Sequence, residues 1–174
     1  MQKTFAIAAL MFASASVAVA QPAAKPTDPQ IAHIAYTAGV IDIAAAKQAL
    51  AKSRNPEVRS FAEEMVRDHA AVNVQALALV HKLHVTPQDN PTSRALTAAA
   101  AQHHADYAKL HGHAFDLAYA QNEVAYHHTV NGALAAMLIP DAQNADLKSL
   151  LQTGLKLFQM HEQHAEDMVA KLGK

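Results

Sequence analysis

Between Val58 and Leu83 one stripe of side chains dominates the sequence. Val58, Ala62, Met65, Val72, Ala76, Leu79 and Leu83 fall at alternating spacings of four and three, and His69 occupies the middle of the series. At 3.6 residues per turn that alternation keeps every member on one face of an α-helix. A β-strand needs period two and is excluded. A stripe this long describes a helix that buries one face against other helices along its whole length.

Three further segments carry stripes of the same kind. Ile31, Ile34, Ala38, Ile41, Ala45 and Ala49 form one, with Asp42 at its edge; Asp116, Tyr119, Glu123, His127, Val130, Leu134 and Met137 form the next; Leu147, Leu150, Gly154, Leu157, His161, His164, Met168 and Leu172 form the last. Caps and breakers bound the helices. Thr27-Asp28-Pro29 opens the first at about Pro29, to end near Lys52, and Asn55-Pro56-Glu57 opens the second, to end near His84. Thr92 or Ser93 caps a shorter helix running through Leu110, Gly112 interrupts, and a long helix from about His113 stops at Leu138 before Pro140. Asn144 caps the last, from Ala145 to Leu172. Ala supplies 40 of the 174 residues and is the best helix former, since it loses no side-chain entropy on ordering. The expected fold is all-α: a bundle of four long helices with a crossover segment carrying a short additional helix.

Composition removes several function classes. With 14 Lys plus Arg against 15 Asp plus Glu, the chain has no basic footprint for nucleic acid, and 51% hydrophobic residues argue against disorder. The absence of Cys excludes disulfides, thiolate zinc, iron–sulfur clusters and a Cys nucleophile. No glycine-rich phosphate loop, G-x-S-x-G elbow or H-E-x-x-H motif occurs. Any metal must be held by His and carboxylate, and the chain has 12 His.

Residues 1–20 read as a secretory signal: Lys3 supplies the basic start, Phe5 to Val17 the apolar run, and Ala18-Val19-Ala20 the cleavage site before Gln21. Residues 21–28 read as a flexible linker and 29–172 as one helical domain. The expected product is periplasmic or secreted, with no transmembrane span after signal cleavage.

Each long helix places a polar group in its apolar stripe. Buried polar groups lower stability unless paired, so these should converge on each other, on water or on a metal. At ~1.5 Å per residue, Asp42 and His69 lie near one height about the first interhelix turn, and His127 and His161 near one height about the second. All four meet at mid-bundle if the segment from Val85 to His111 crosses the bundle's length. The candidate ligands are Asp42, His69, Asp116, Glu123, His127 and His161, with Asp68 and His164 at the margin. The same histidines can instead hydrogen-bond Asp116 and Asp42 and only specify the fold. Tyr119 and Tyr126 read as packing aromatics whose hydroxyls reach this network. His81, His84, His103, His104, His111, His113 and His128 read as a solvated, titratable face.

From about Ile31 to Ala170 the sequence resembles the DUF4142 family of exported bacterial proteins, in the ferritin-like superfamily. The resemblance rests on Gly39 to Asp42, Asn55 to Ala62, Met65-Val66-Arg67-Asp68-His69, Gly112 to Asp116 with Tyr119, His127 and His161. It implies a four-helix bundle with a long crossover; di-iron members of the superfamily add a pair of E-x-x-H motifs. Here the residues three before His69, His127 and His161 are Val66, Val124 and Phe158, so ferroxidase or oxygenase chemistry does not carry over. Three functions stay open. They are a protein that binds or buffers a divalent transition metal (Fe, Mn, Zn or Cu), a metal-free structural or interaction protein of the envelope with an unidentified protein partner, and a redox metalloenzyme, disfavoured by the missing motif. No catalytic residue is assigned.

Overall fold

The computed structural model describes residues 25–174; the expected signal peptide and the first part of the linker lie outside them. The described chain is all-helical: α1 (Asp28–Lys52), α2 (Pro56–Lys82), α3 (Pro91–Ala108), α4 (Gly112–Ala133), a π-helical turn (Leu134–Leu138), α5 (Ile139–Asp141) and α6 (Ala145–Leu172). Among the described residues no helix is long and apolar enough to cross a membrane.

Local chemistry sets most boundaries where the sequence places them. The Asn55 side chain accepts from the Glu57 and Val58 amides, and Asn144 from those of Asp146 and Leu147. Three ends differ. α2 stops two residues early because His84, at φ 53°, turns the chain left-handed and Val85 N–H returns to the Val80 carbonyl, a Schellman closure with His where Gly is usual. α3 begins with Pro91 at its first position, and its cap is Asn90, which exchanges bonds with Ser93. Pro140 does not end the helix at Leu138. Proline cannot donate to the carbonyl four residues back, and the backbone widens instead, Ile139 N–H donating five back to Leu134 before a last turn to Asp141.

The four long helices α1, α2, α4 and α6 enclose the core, with α1 against α2 and α4 against α6 as the closest pairs. One apolar cluster, around Phe61, Met65, Phe115, Tyr119 and Met168, fills the end near the α1–α2 turn; a second, around Ile31, Ile34, Leu134, Leu138 and Leu151, fills the other. α3 lies outside, on α1. Its start is tied to α1's start by Asn90 to the Gln30 carbonyl, and its end to α1's end by Lys52 to the Ala108 carbonyl. The segment therefore crosses the full length of the molecule, and α4 runs parallel to α2.

Candidate metal centre

That crossing brings four helices' polar groups to one level between the two apolar clusters. α1 supplies Asp42, α2 His69, α4 Glu123 and His127, and α6 His161; each is between 1% and 3% exposed. Ring nitrogens of His69, His127 and His161 lie within 4.8 Å of one another, and one ligand atom each from Asp42, Glu123 and His127 does the same.

Hydrogen-bond partners fix two of the three imidazoles. His127 Nδ1 is 2.9 Å from the Glu123 carbonyl, which only accepts, so Nδ1 carries the hydrogen and Nε2 the lone pair. That lone pair faces Asp42 Oδ2 at 3.4 Å, and the same oxygen is 3.2 Å from His69 Nε2. His161 donates from Nε2 to Asp68 Oδ2 at 3.1 Å, leaving its own Nδ1 as the lone-pair atom. Asp68 is gripped in turn by Arg67 through two bonds. Burial pushes the Asp68 carboxyl upward, but the bonds from Arg67 and His161 outweigh it and hold the group below its ordinary range. A carboxylate anchoring the far nitrogen of an imidazole is how proteins orient histidine ligands.

Within the cluster the remaining valences are unfilled. Both oxygens of Asp42 and of Glu123, both nitrogens of His69, His127 Nε2 and His161 Nδ1 are buried without a hydrogen-bond partner among the described residues. Leaving even one such group unsatisfied costs about 1–3 kcal/mol. Burial also sets the charge state. The Asp42 carboxyl is pushed up to about 8, and burial with the Asp42 charge beside it raises Glu123 well above the usual range. Burial, reinforced by His127 and His161, lowers His69 to about 3, and burial lowers His127 to about 4. The imidazoles are therefore neutral at physiological pH, the form in which they ligate metals.

Phe158 closes one side: its ring stacks on His69 at 4.6 Å between centroids and 11° between planes. Two cavities flank the cluster. An apolar one of about 170 Å³ lies against His69 and His127; another, of about 240 Å³ under α3, reaches Asp42 and Glu123.

Five of the six expected residues thus come together, and Asp116 does not. It is buried, but it precedes His127 by three turns, roughly 16 Å along the helix, and packs at the Phe115–Tyr119 level. A stripe says which residues face the core and nothing about which share a level. His161 pairs with Asp68, not with Asp42 or Asp116, and His164 with Glu64 at 2.8 Å. Tyr126 donates to the Ala38 carbonyl instead of joining the network. The surface histidines are exposed as expected, except His104, which is half-buried. Phe158 and Glu64 escaped the sequence reading. Phe158 belongs to the series Leu147, Leu151, Gly154, Phe158, His161, Ala165 and Met168, which shares every seventh residue with the expected stripe but takes the other alternate positions.

Residues 13–168 match the family described as "Domain of unknown function (DUF4142)". The chain belongs to that family. No curated protein and no solved structure matches it. In this DUF4142 chain the residues that carry the resemblance have definite physical tasks. Asn55 caps α2, Asp68 orients His161, and Gly39 makes room for Asn73, whose Oδ1 would lie 2.5 Å from any Cβ placed there.

Proposed function

We propose that this DUF4142 chain is an exported, ferritin-like four-helix bundle that binds and buffers one divalent transition metal in its core. The observation that carries the reading is the convergence of eight partnerless side-chain nitrogen and oxygen atoms from Asp42, His69, Glu123, His127 and His161 on one buried level. The His127 Nε2 lone pair facing the Asp42 carboxyl at 3.4 Å is satisfied by a cation or a proton. One ion is assigned, since the two ligand sets share His127 and its single free lone pair serves one metal. Imidazole with carboxylate suits Fe, Mn, Zn or Cu. Binding such an ion displaces the protons that Asp42 and Glu123 hold near neutrality. The parallel run of α2 and α4, joined by a crossing α3, supports the ferritin-like arrangement. The signal-like first twenty residues support export to the periplasm or beyond.

The metal-free alternative draws on Asp42 itself. Protonated at neutral pH, it can donate to His69 or His127 and complete a neutral network that only sets helix register. Melting curves with chelator and with added Zn, Cu, Mn or Fe separate the two. A bound ion at a hundredfold above its Kd stabilises by about 2.7 kcal/mol, and His69→Ala abolishes that increment. If the wild type gains nothing from any metal and His69→Ala loses stability equally throughout, the metal reading fails.

A further inference from the structure

The cluster has different surroundings on its two sides. The apolar cavity beside His69 and His127 offers a hydrated ion almost nothing to bind. On the carboxylate side, α3 covers α1 and α4 with its half-buried stripe of Leu96, Ala100, His104 and Tyr107. At Ala100 that stripe carries only a methyl group, too short to fill the space over Glu123 and Asp42. The result is the cavity of about 240 Å³, with Asp42 and Glu123 among its walls and His103 and His104 on its α3 side. A water molecule occupies about 30 Å³ in the liquid, so this volume admits a partly hydrated ion. His103 is exposed and His104 half-buried, and Asp42 and Glu123, 1% exposed, wall the inner end, their partnerless oxygens lying just behind the cavity surface. Nitrogen ligands in reach of solvent and oxygen ligands at the inner end are the sequence of replacements a cation needs to shed its water in steps.

We infer that the cavity under α3 is the passage by which a divalent cation reaches the core, with His103 and His104 receiving it and Asp42 and Glu123 drawing it in. This rests on the metal reading above. It adds a route, and a route controls rates and not affinity. Filling it must slow loading and release together.

The test is stopped-flow uptake of Co(II) by the full mature chain, followed by its visible absorption, with the equilibrium Kd measured separately. Ala100→Phe fills the passage and is expected to slow uptake at least tenfold with Kd unchanged. Ala76→Phe, which fills the apolar cavity, is expected to load at the wild-type rate. His104→Ala removes a receiving imidazole while widening the passage, so an open route alone cannot explain slower loading; it is expected to slow uptake severalfold, and the inference stays testable if Ala100→Phe does not fold. Wild-type uptake rates in both Ala100→Phe and His104→Ala overturn the passage while leaving the metal site standing, as does slowing in Ala76→Phe alone. A wild type that takes up no Co(II) overturns the passage and the metal reading together.

Discussion

Asp42 Oδ2 lies 3.4 Å from His127 Nε2, an acceptor facing an acceptor, because the Nδ1 hydrogen of His127 is committed to the Glu123 carbonyl. Only a proton or a cation between them makes this contact favourable. Several properties of the protein follow from which one is present.

Stability without metal should peak near pH 6.5. His69, His127 and His161 have lowered values in the fold, so below about 6.5 the unfolded chain binds their protons and the fold does not, and stability falls with pH. Asp42 and Glu123 have raised values, so above their unfolded range the fold holds protons that the unfolded chain has lost, on Asp42 up to about 8. The Asp42 contribution disappears as pH rises through about 8. Just below about 6.5 three histidines oppose two carboxyls and the slope is upward; above about 6.5 only the carboxyls act and it reverses. Urea midpoints of the chelated protein from pH 5 to 8.5 check this, and Asp42→Asn should flatten the alkaline side.

Metal-induced stabilisation should grow over the same alkaline interval, because the ion replaces protons on Asp42 and Glu123. At constant free Zn, the rise in Tm should be larger at pH 8 than at pH 6. A rise that shrinks with pH counts against these two carboxylates as ligands.

Asp116 and Glu123 should behave oppositely. Glu123→Gln keeps the shape but removes the negative charge and replaces one oxygen by an amide nitrogen that cannot ligate, and the metal-dependent rise in Tm should fall by more than half. Asp116→Asn, two turns from Glu123 and three from His127, should leave that increment unchanged. Equal losses in the two would place the site elsewhere.

At Gly39 the prediction concerns packing alone. A Cβ there would meet Asn73 Oδ1 at 2.5 Å, so Gly39→Ala should destabilise by about 1–3 kcal/mol. Adding Asn73→Ala should recover part of that loss, and a double-mutant cycle in urea measures the coupling.

Phe158 should matter through its stacking on His69. Phe158→Leu removes an aromatic contact worth about 0.5–1.5 kcal/mol beyond area and leaves a small void. We expect a loss of about 1–2 kcal/mol by urea denaturation, with the metal-dependent increment retained.

Helix identity and most termini were legible in the sequence, because Pro56 with Asn55, Asn144 and the four stripes act through neighbours within a turn. The exceptions at His84 and Pro140 show the limit of local signals. A left-handed His and a π turn are both unfavourable alone, and each persists because the packing on either side of it holds the chain in place. The π turn's extra residue also rotates the end of its segment, so Leu138 is buried where the sequence points to Met137.

For the candidate site, helical periodicity is enough to turn Asp42, His69, Glu123, His127 and His161 inward, since side-chain direction on a helix follows from it. Tertiary structure alone decided that these five share a level and Asp116 does not, that Asp68 and not Asp42 holds His161, and that Phe158 and not Leu157 faces His69. Level depends on where α3 returns the chain, and the choice between two stripes sharing every seventh residue depends on where the neighbouring helices stand. Both are relations between segments far apart in the chain, which no period within one helix encodes.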